Sequence, residues 1–251
     1  MVEKLKIISL SVNRISFNDC LEQVIAFALK KTSSYVCFAN VHMVIEAHND
    51  KSILNQVDNA NLVLPDGKPL AIACKMLYGK KQERISGMDF TPLLLEKANE
   101  NKFSIFVYGS TENVITIFKE KINNNYPAIH FAGAISPPFR VLTDDEIKID
   151  IEKINRAGTH LVLVALGCPK QEKWMAENSS KINAVLLGIG GALPVMAGIQ
   201  KRAPRWMQNM SLEWFYRLIQ QPGRLFTRYL YTNSYFLFLL SRDYIKSLFK
   251  R

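Results

Sequence analysis

Short apolar runs recur along the first 199 residues, at 35–39, 62–64, 104–108, 129–132, 161–166 and 184–189. They are nearly continuous in apolar residues rather than alternating, as strands covered on both faces require. Between them the period changes. In 18–31, Leu21, Val24, Ile25, Ala28 and Leu29 recur at the spacing of one helix face, behind Asn18 as a cap. In 143–157, Thr143 and Glu146 have capping-box spacing and Ile147, Ile151 and Ile154 form a stripe. Helices near 111–124 and 169–180 continue the alternation. The pattern predicts an α/β fold, Rossmann-like and doubly wound, with a mainly parallel sheet and right-handed crossovers. Ligands bind such sheets beyond the carboxyl ends of the strands. That edge is where Asn40, Asp66, Gly109, Gly167 and Gly190 fall.

Charge divides the chain where the alternation stops. Residues 200–251 carry ten Lys or Arg against two acids, Glu213 and Asp243, and twelve of the 26 aromatic residues. The body before them is close to neutral. A division follows: an α/β catalytic domain over 1–199 and a basic, aromatic, helical appendage over 200–251. Within the appendage, one helix is expected around 211–220, ending at Gln221-Pro222-Gly223, and a second from about Arg224. Arginines interleaved with Tyr, Trp and Phe suit a helix lying in a membrane interface and attracted to anionic lipid. Nucleic acid is the rival for such a composition, but long Leu, Phe and Tyr stripes suit lipid or protein better than a phosphodiester backbone. Packing against the body is the third reading. No stretch has the length of apolar residues that a spanning helix needs.

The four cysteines, Cys20, Cys37, Cys74 and Cys168, form no CxxC pair. Scattered in this way, they read as reduced, mostly buried thiols of a cytosolic protein. The amino terminus lacks the long apolar core of a secretion signal. The histidines show no metal-ligand spacing, no DxD occurs, and Asp144-Asp145 reads as first-turn capping. No metal and no cofactor are implied. Charge on a leaving phosphate would then fall to helix termini and to cations such as Arg84, Lys170, Lys201, Arg202 and Arg205.

Three local features carry candidate chemistry. Leu62-Val63-Leu64 stops at Pro65-Asp66-Gly67, which is either a plain turn or a carboxylate held out at the ligand edge. Gly188-Ile189-Gly190-Gly191 follows a strand and offers either a phosphate cradle or close packing. In 167–174, GCPKQEKW, Lys170 and Gln171 stand at a helix start, as anion ligands or as a solvated polar turn. His42 follows Asn40 at a strand end and reads as a ligand contact or a helix-face residue.

Taken in order, FANVHM (38–43), PDGKPLA (65–71), ERISGMDF (83–90), FVYGST (106–111), ISPPFR (135–140), GCPKQEKW (167–174), GIGGALPVMAGIQKRAPRW (188–206) and LEWFYRLIQQPGRLFTRYL (212–230) resemble the WecG/TagA/CpsF family of bacterial glycosyltransferases. The resemblance implies inverting, metal-independent transfer from a nucleotide-sugar, usually UDP-linked, to a polyprenyl-diphosphate-linked sugar at the inner face of the membrane. It implies Asp66 as general base, with Arg84 and Gln171 lining the active site. It also implies an appendage that docks on the membrane and completes the site, with Arg217, Arg224 and Arg228 as its arginines. Asn40, Gly67, Gly109, Lys170, Gly190, Gly191 and Arg202 complete the expected substrate contacts. A homo-oligomer is compatible with this reading. The chain departs from many members in having Phe38 two places before Asn40, and Pro194 where they carry an acid.

Overall fold

The computed structural model describes residues 2–210 and 212–249, and the side chains of Asn209 and Arg224 also lie outside the described residues. Its chain opens with an antiparallel hairpin, β1 (Lys4–Ile7) and β2 (Leu10–Asn13). There follow α1 (Phe17–Leu29), β3 (Ser34–Ala39), α2 (Val41–Asn49), α3 (Lys51–Asp58) and β4 (Leu62–Pro65). Two helices, α4 (Lys68–Tyr78) and α5 (Gly87–Glu100), precede β5 (Ser104–Gly109), α6 (Glu112–Asn125) and β6 (His130–Ile135). The last strands are β7 (Leu161–Ala165) after α7 (Asp144–Arg156), and β8 (Val185–Gly188) after α8 (Lys170–Asn178). Beyond them run α9 (Ala192–Met196), α10 (Arg205–Asn209), α11 (Glu213–Gln220) and α12 (Pro222–Leu248).

The six strands β3 to β8 form one parallel sheet in the order β4-β3-β8-β7-β5-β6. The continuous apolar runs are explained by what covers them. Successive strand residues alternate between two cores, so Tyr35 and Cys37 face one and Val36 and Phe38 the other. The hairpin, α2, α3, α4, α7, α8 and α12 close the first core; α1, α5, α6 and α9 close the second. The fold is therefore doubly wound, as expected. Thr143 and Glu146 do form a capping box at α7, and the four thiols are free.

The appendage is less separate than its composition suggests. Leu225, Phe236, Leu239 and Leu240 of α12 are buried, the last three within the first core, where α12 packs on α2 and α4. Its start falls two residues before Arg224, at Pro222, whose fixed φ suits a first helical turn. No helix among the described residues is long and apolar enough to cross a membrane.

Adjacent parallel strands must end without clashing, and Gly109 shows how tightly. It ends β5 at φ +104, and a Cβ there would lie 2.7 Å from the Ala165 carbonyl carbon of β7. Gly109→Ala should therefore cost about 1–3 kcal/mol from backbone strain alone, with the contact adding to it. Chemical denaturation is the check, and an unchanged midpoint would contradict this account of the sheet edge.

Candidate active site

The pairing of β3 with β4 and β8 brings three chain segments to one edge. At the end of β3, Asn40 caps α2 by accepting from the Met43 N–H at 3.1 Å. One residue past β4, the Asp66 N–H donates to the Ala39 carbonyl at 2.8 Å, so the ladder itself holds that residue in place. The chain then turns through Gly67 into α4, whose first turn has no side-chain cap. The Pro-Asp-Gly turn is real, and it sets the carboxylate at the carboxyl edge of the sheet. Asp66 is partly buried, and burial pushes its carboxyl up to about 6, against the pull of Arg217 and then Arg84.

Behind Asp66 the Gly188–Gly191 turn packs closely, as one of its two readings expected. A Cβ on Gly188 would lie 2.7 Å from Met175 Cε, and one on Gly190 would lie 3.0 Å from Gln171 Oε1. Gly191 is open toward solvent and faces the Arg217 guanidinium. The start of α8 is not a solvated turn either. Gln171 and Glu172 are buried there, while Lys170 is exposed. Gln171 accepts from the Gly167 N–H at 3.2 Å and donates to the Gly188 carbonyl at 2.9 Å and to Glu172 Oε1 at 2.8 Å. It thus ties the ends of β7 and β8 together. Burial raises the Glu172 carboxyl, which favours its neutral form beneath the site.

In front of Asp66 stands α11, carried there by the appendage. Arg84 donates to Glu213 at 2.7 Å and to Asp89; Arg202 donates to Glu213 at 3.1 Å and to Asp89. Burial opposes ionisation of Asp89, but hydrogen bonds from Arg202 and Ser86 and the Arg84 charge hold its carboxyl below the ordinary range. Along α12, Arg228 lies near His42 of α2, whose Nδ1 is 3.6 Å from Glu46 Oε1. Burial, and then Arg228, push that imidazole down to about 4, so it is neutral at pH 7.

Of the residues singled out in the sequence, Asp66, Arg84, Arg202, Arg217 and Gly191 come together, with Asn40 on the adjoining strand end. Gly109 and Lys170 belong to the neighbouring ends of β5 and β7, and Arg228 to the α2–α12 contact. The Arg224 side chain lies outside the described residues. Asp89 and Glu213 were not anticipated. The available signal for Glu213 was its being one of two acids in a strongly basic segment. Among the described residues, no group of three or more His, Cys, Asp or Glu is arranged to hold a metal ion.

A doubly wound sheet with an acid under arginines at its carboxyl edge has the layout of an α/β group-transfer enzyme. The chain belongs to the glycosyl transferase WecG/TagA/CpsF family, whose profile matches residues 5–249, and it is accordingly a glycosyltransferase. A Bacillus subtilis (strain 168) protein named N-acetylglucosaminyldiphosphoundecaprenol N-acetyl-beta-D-mannosaminyltransferase is 34% identical over 238 residues, covering 94% of this chain and 90% of that protein. A Bacillus spizizenii (strain W23) protein of the same name is 32% identical over 195 residues, or 76% of this chain and 73% of its own length.

The partly buried Asp66 makes a stability prediction. Because the fold raises the Asp66 carboxyl from 3.8 to about 6, its ionised form costs stability, and the cost grows as pH rises between those values. Asp66→Asn should be more stable than the parent at pH 8, by on the order of 2–3 kcal/mol from the linkage relation. The advantage should vanish below about pH 4. Thermal melts across that range are the measurement, and a variant less stable at pH 8 would refute the electrostatic reading.

Proposed function

We propose that this glycosyltransferase moves a sugar from a nucleotide-sugar, UDP-linked and of the N-acetylmannosamine type, to a polyprenyl-diphosphate-linked saccharide. The reading takes its acceptor and sugar from the names of the two Bacillus relatives and its chemistry from the cleft. Its single strongest support is Asp66, a carboxyl raised toward neutral pH and set beside Arg217 at the sheet edge. A general base works best with a pKa near the operating pH.

In the proposed step, an acceptor hydroxyl attacks the anomeric carbon of the donor sugar and the bond to the nucleotide diphosphate breaks. Asp66 takes the hydroxyl proton as the new C–O bond forms, and the anomeric carbon inverts. Electron density moves to the departing diphosphate, whose charge Arg217 and Arg84, the two cations acting on Asp66, would offset. The residues named supply base and charge compensation without a metal. Asn40, Gly67 and Gly191 would border the sugar and its phosphates, and Gln171 would hold the Gly190-Gly191 turn in shape.

The appendage fits a peripheral position on an anionic membrane, at the inner face where a nucleotide-sugar is available. Trp206, Met210, Trp214, Phe215, Ile219, Phe226 and Leu230 are exposed on α10 to α12, among Lys and Arg. Exposed aromatic and aliphatic side chains with a basic surround are the composition of an interfacial segment. In this proposal, 200–251 is a functional unit even though one face of α12 belongs to the core.

Two measurements test the reading. Asp66→Asn should lower turnover of UDP-N-acetylmannosamine with a polyprenyl-diphosphate-N-acetylglucosamine acceptor by about 10²–10⁴-fold, the usual worth of a general base. In the parent, kcat/KM should rise with pH through about 6 and then level; unchanged turnover in the variant would remove Asp66 from the mechanism. Separately, Ile219→Ser with Phe226→Ser should weaken sedimentation with phosphatidylglycerol vesicles at least severalfold while leaving the melting temperature unchanged. Equal sedimentation would reject the membrane surface.

A further inference from the structure

Two helices carry the appendage over the cleft, and they are held in different ways. The long one, α12, sinks Phe236, Leu239 and Leu240 into the core. The short one, α11, has no buried residue; its Trp214, Phe215 and Ile219 are 44%, 42% and 61% exposed. Apolar burial therefore does little to fix how α11 stands over the site. Yet α11 bears Arg217, which lies against Gly191 and is the largest charge acting on Asp66. The helix leans on α12 through Trp214 and Tyr229, and its ties to side chains of the body are ion pairs.

These ion pairs meet at Glu213. Glu213 takes Arg84 at 2.7 Å and Arg202 at 3.1 Å, and Asp89 takes the same two arginines. Two cations and two anions thus form a closed ring in which every member touches both of opposite sign. The ring is anchored to the body at Asp89, in the first turn of α5. There the Ser86 hydroxyl donates to Asp89 at 2.7 Å, and the helix start buries Gly87 and Phe90. Side-chain exposures of 20% to 32% across the four residues keep solvent screening incomplete. Removing one member would leave two like charges sharing a single partner, with one partly buried charge in excess, which weakens the whole ring rather than one contact.

Glu213 and Arg217 are four residues apart, hence on one face of α11 and one turn from each other. We propose that the Arg84–Asp89–Arg202–Glu213 ring is the fastening that sets α11 over the reaction centre, and that Glu213 is a positioning residue acting through Arg217. The inference rests on the reading of Asp66 and Arg217 as that centre. It also gives Arg84 and Arg202 a task beyond facing substrate: both guanidinium groups hold the appendage on the body.

A double-mutant cycle tests it. Glu213→Gln should lower kcat by about 10–100-fold, the scale of a misplaced catalytic group. In an Arg217→Ala background the same substitution should change kcat less than about 2-fold, because the residue it positions is gone. Equal losses in both backgrounds would overturn the proposal, as would a gain in turnover, which would make the ring an inhibitory clasp. Arg202→Gln should repeat the pattern, and serves if Glu213→Gln fails to fold. Amide hydrogen exchange gives a readout independent of activity. Glu213→Gln should speed exchange over 213–220 while leaving β3 and β8 unchanged. Unchanged exchange in α11 would overturn the fastening even if the parent showed no sugar transfer, whereas absent transfer with faster exchange would fault only the proposed reaction.

Discussion

The cleft depends on one pairing, that of β3 with β4 on one side and β8 on the other. Its register, Ala39 opposite Pro65 and Cys37 opposite Gly188, makes the three carboxyl ends finish together. From that follow the Asp66 N–H bond to Ala39, the adjacency of Asn40 and Asp66, and the approach of the Gly188–Gly191 turn from behind. Parallel pairing makes this possible because every strand points its carboxyl end the same way. Slipping β4 by one residue would turn its side chains to the opposite core and move Asp66 off the edge.

Around that edge the structure places charge in a graded order. Deepest is Glu172, fully buried, its carboxyl raised by burial against the hydrogen bond that Gln171 donates to one of its oxygens. Next is Asp66, raised toward neutrality but not beyond it, so that ordinary conditions leave it ionised and poorly solvated. Outermost is Asp89, held ionised by two arginines. One chemical group thus behaves in three ways within one site, according to burial and the cations beside it. The intermediate position suits proton transfer best, which is why Asp66 rather than Asp89 fits the base of the proposed reaction.

Much of the fold could be read from the sequence because burial on both faces leaves a plain mark. All six sheet strands fall on the apolar runs, five of them within a residue at each end, while β6, an edge strand that is only half-buried, runs three residues past its expected end. The hairpin was not legible. Its turn puts Ile8 at φ 61, a conformation usually announced by Gly or Asn, and Ile-Ser announces nothing. Nor were the helices between 41 and 100 predicted, since α4 and α5 are apolar over several turns and their stripes blur. In the site, Asp66 was legible because a strand-ending acid stands out in an apolar run. Gln171 was visible as a motif residue, but its task of joining two loops was not, because that depends on β7 and β8 lying side by side.

The appendage shows where composition misleads. Its excess of arginine and aromatic residues reads as a surface, and much of α11 and α12 is surface. The same segment also supplies core residues to the body and one acid to a ring of four ions. A basic helix brought close to a carboxylate could present its arginines in several registers, since long flexible cations tolerate many placements. A single glutamate among them removes that freedom. Glu213 meets Arg84 and Arg202 from one side of α11, and Arg217, one turn on, lies against Gly191. In a segment rich in one charge, the rare opposite charge carries the positional information.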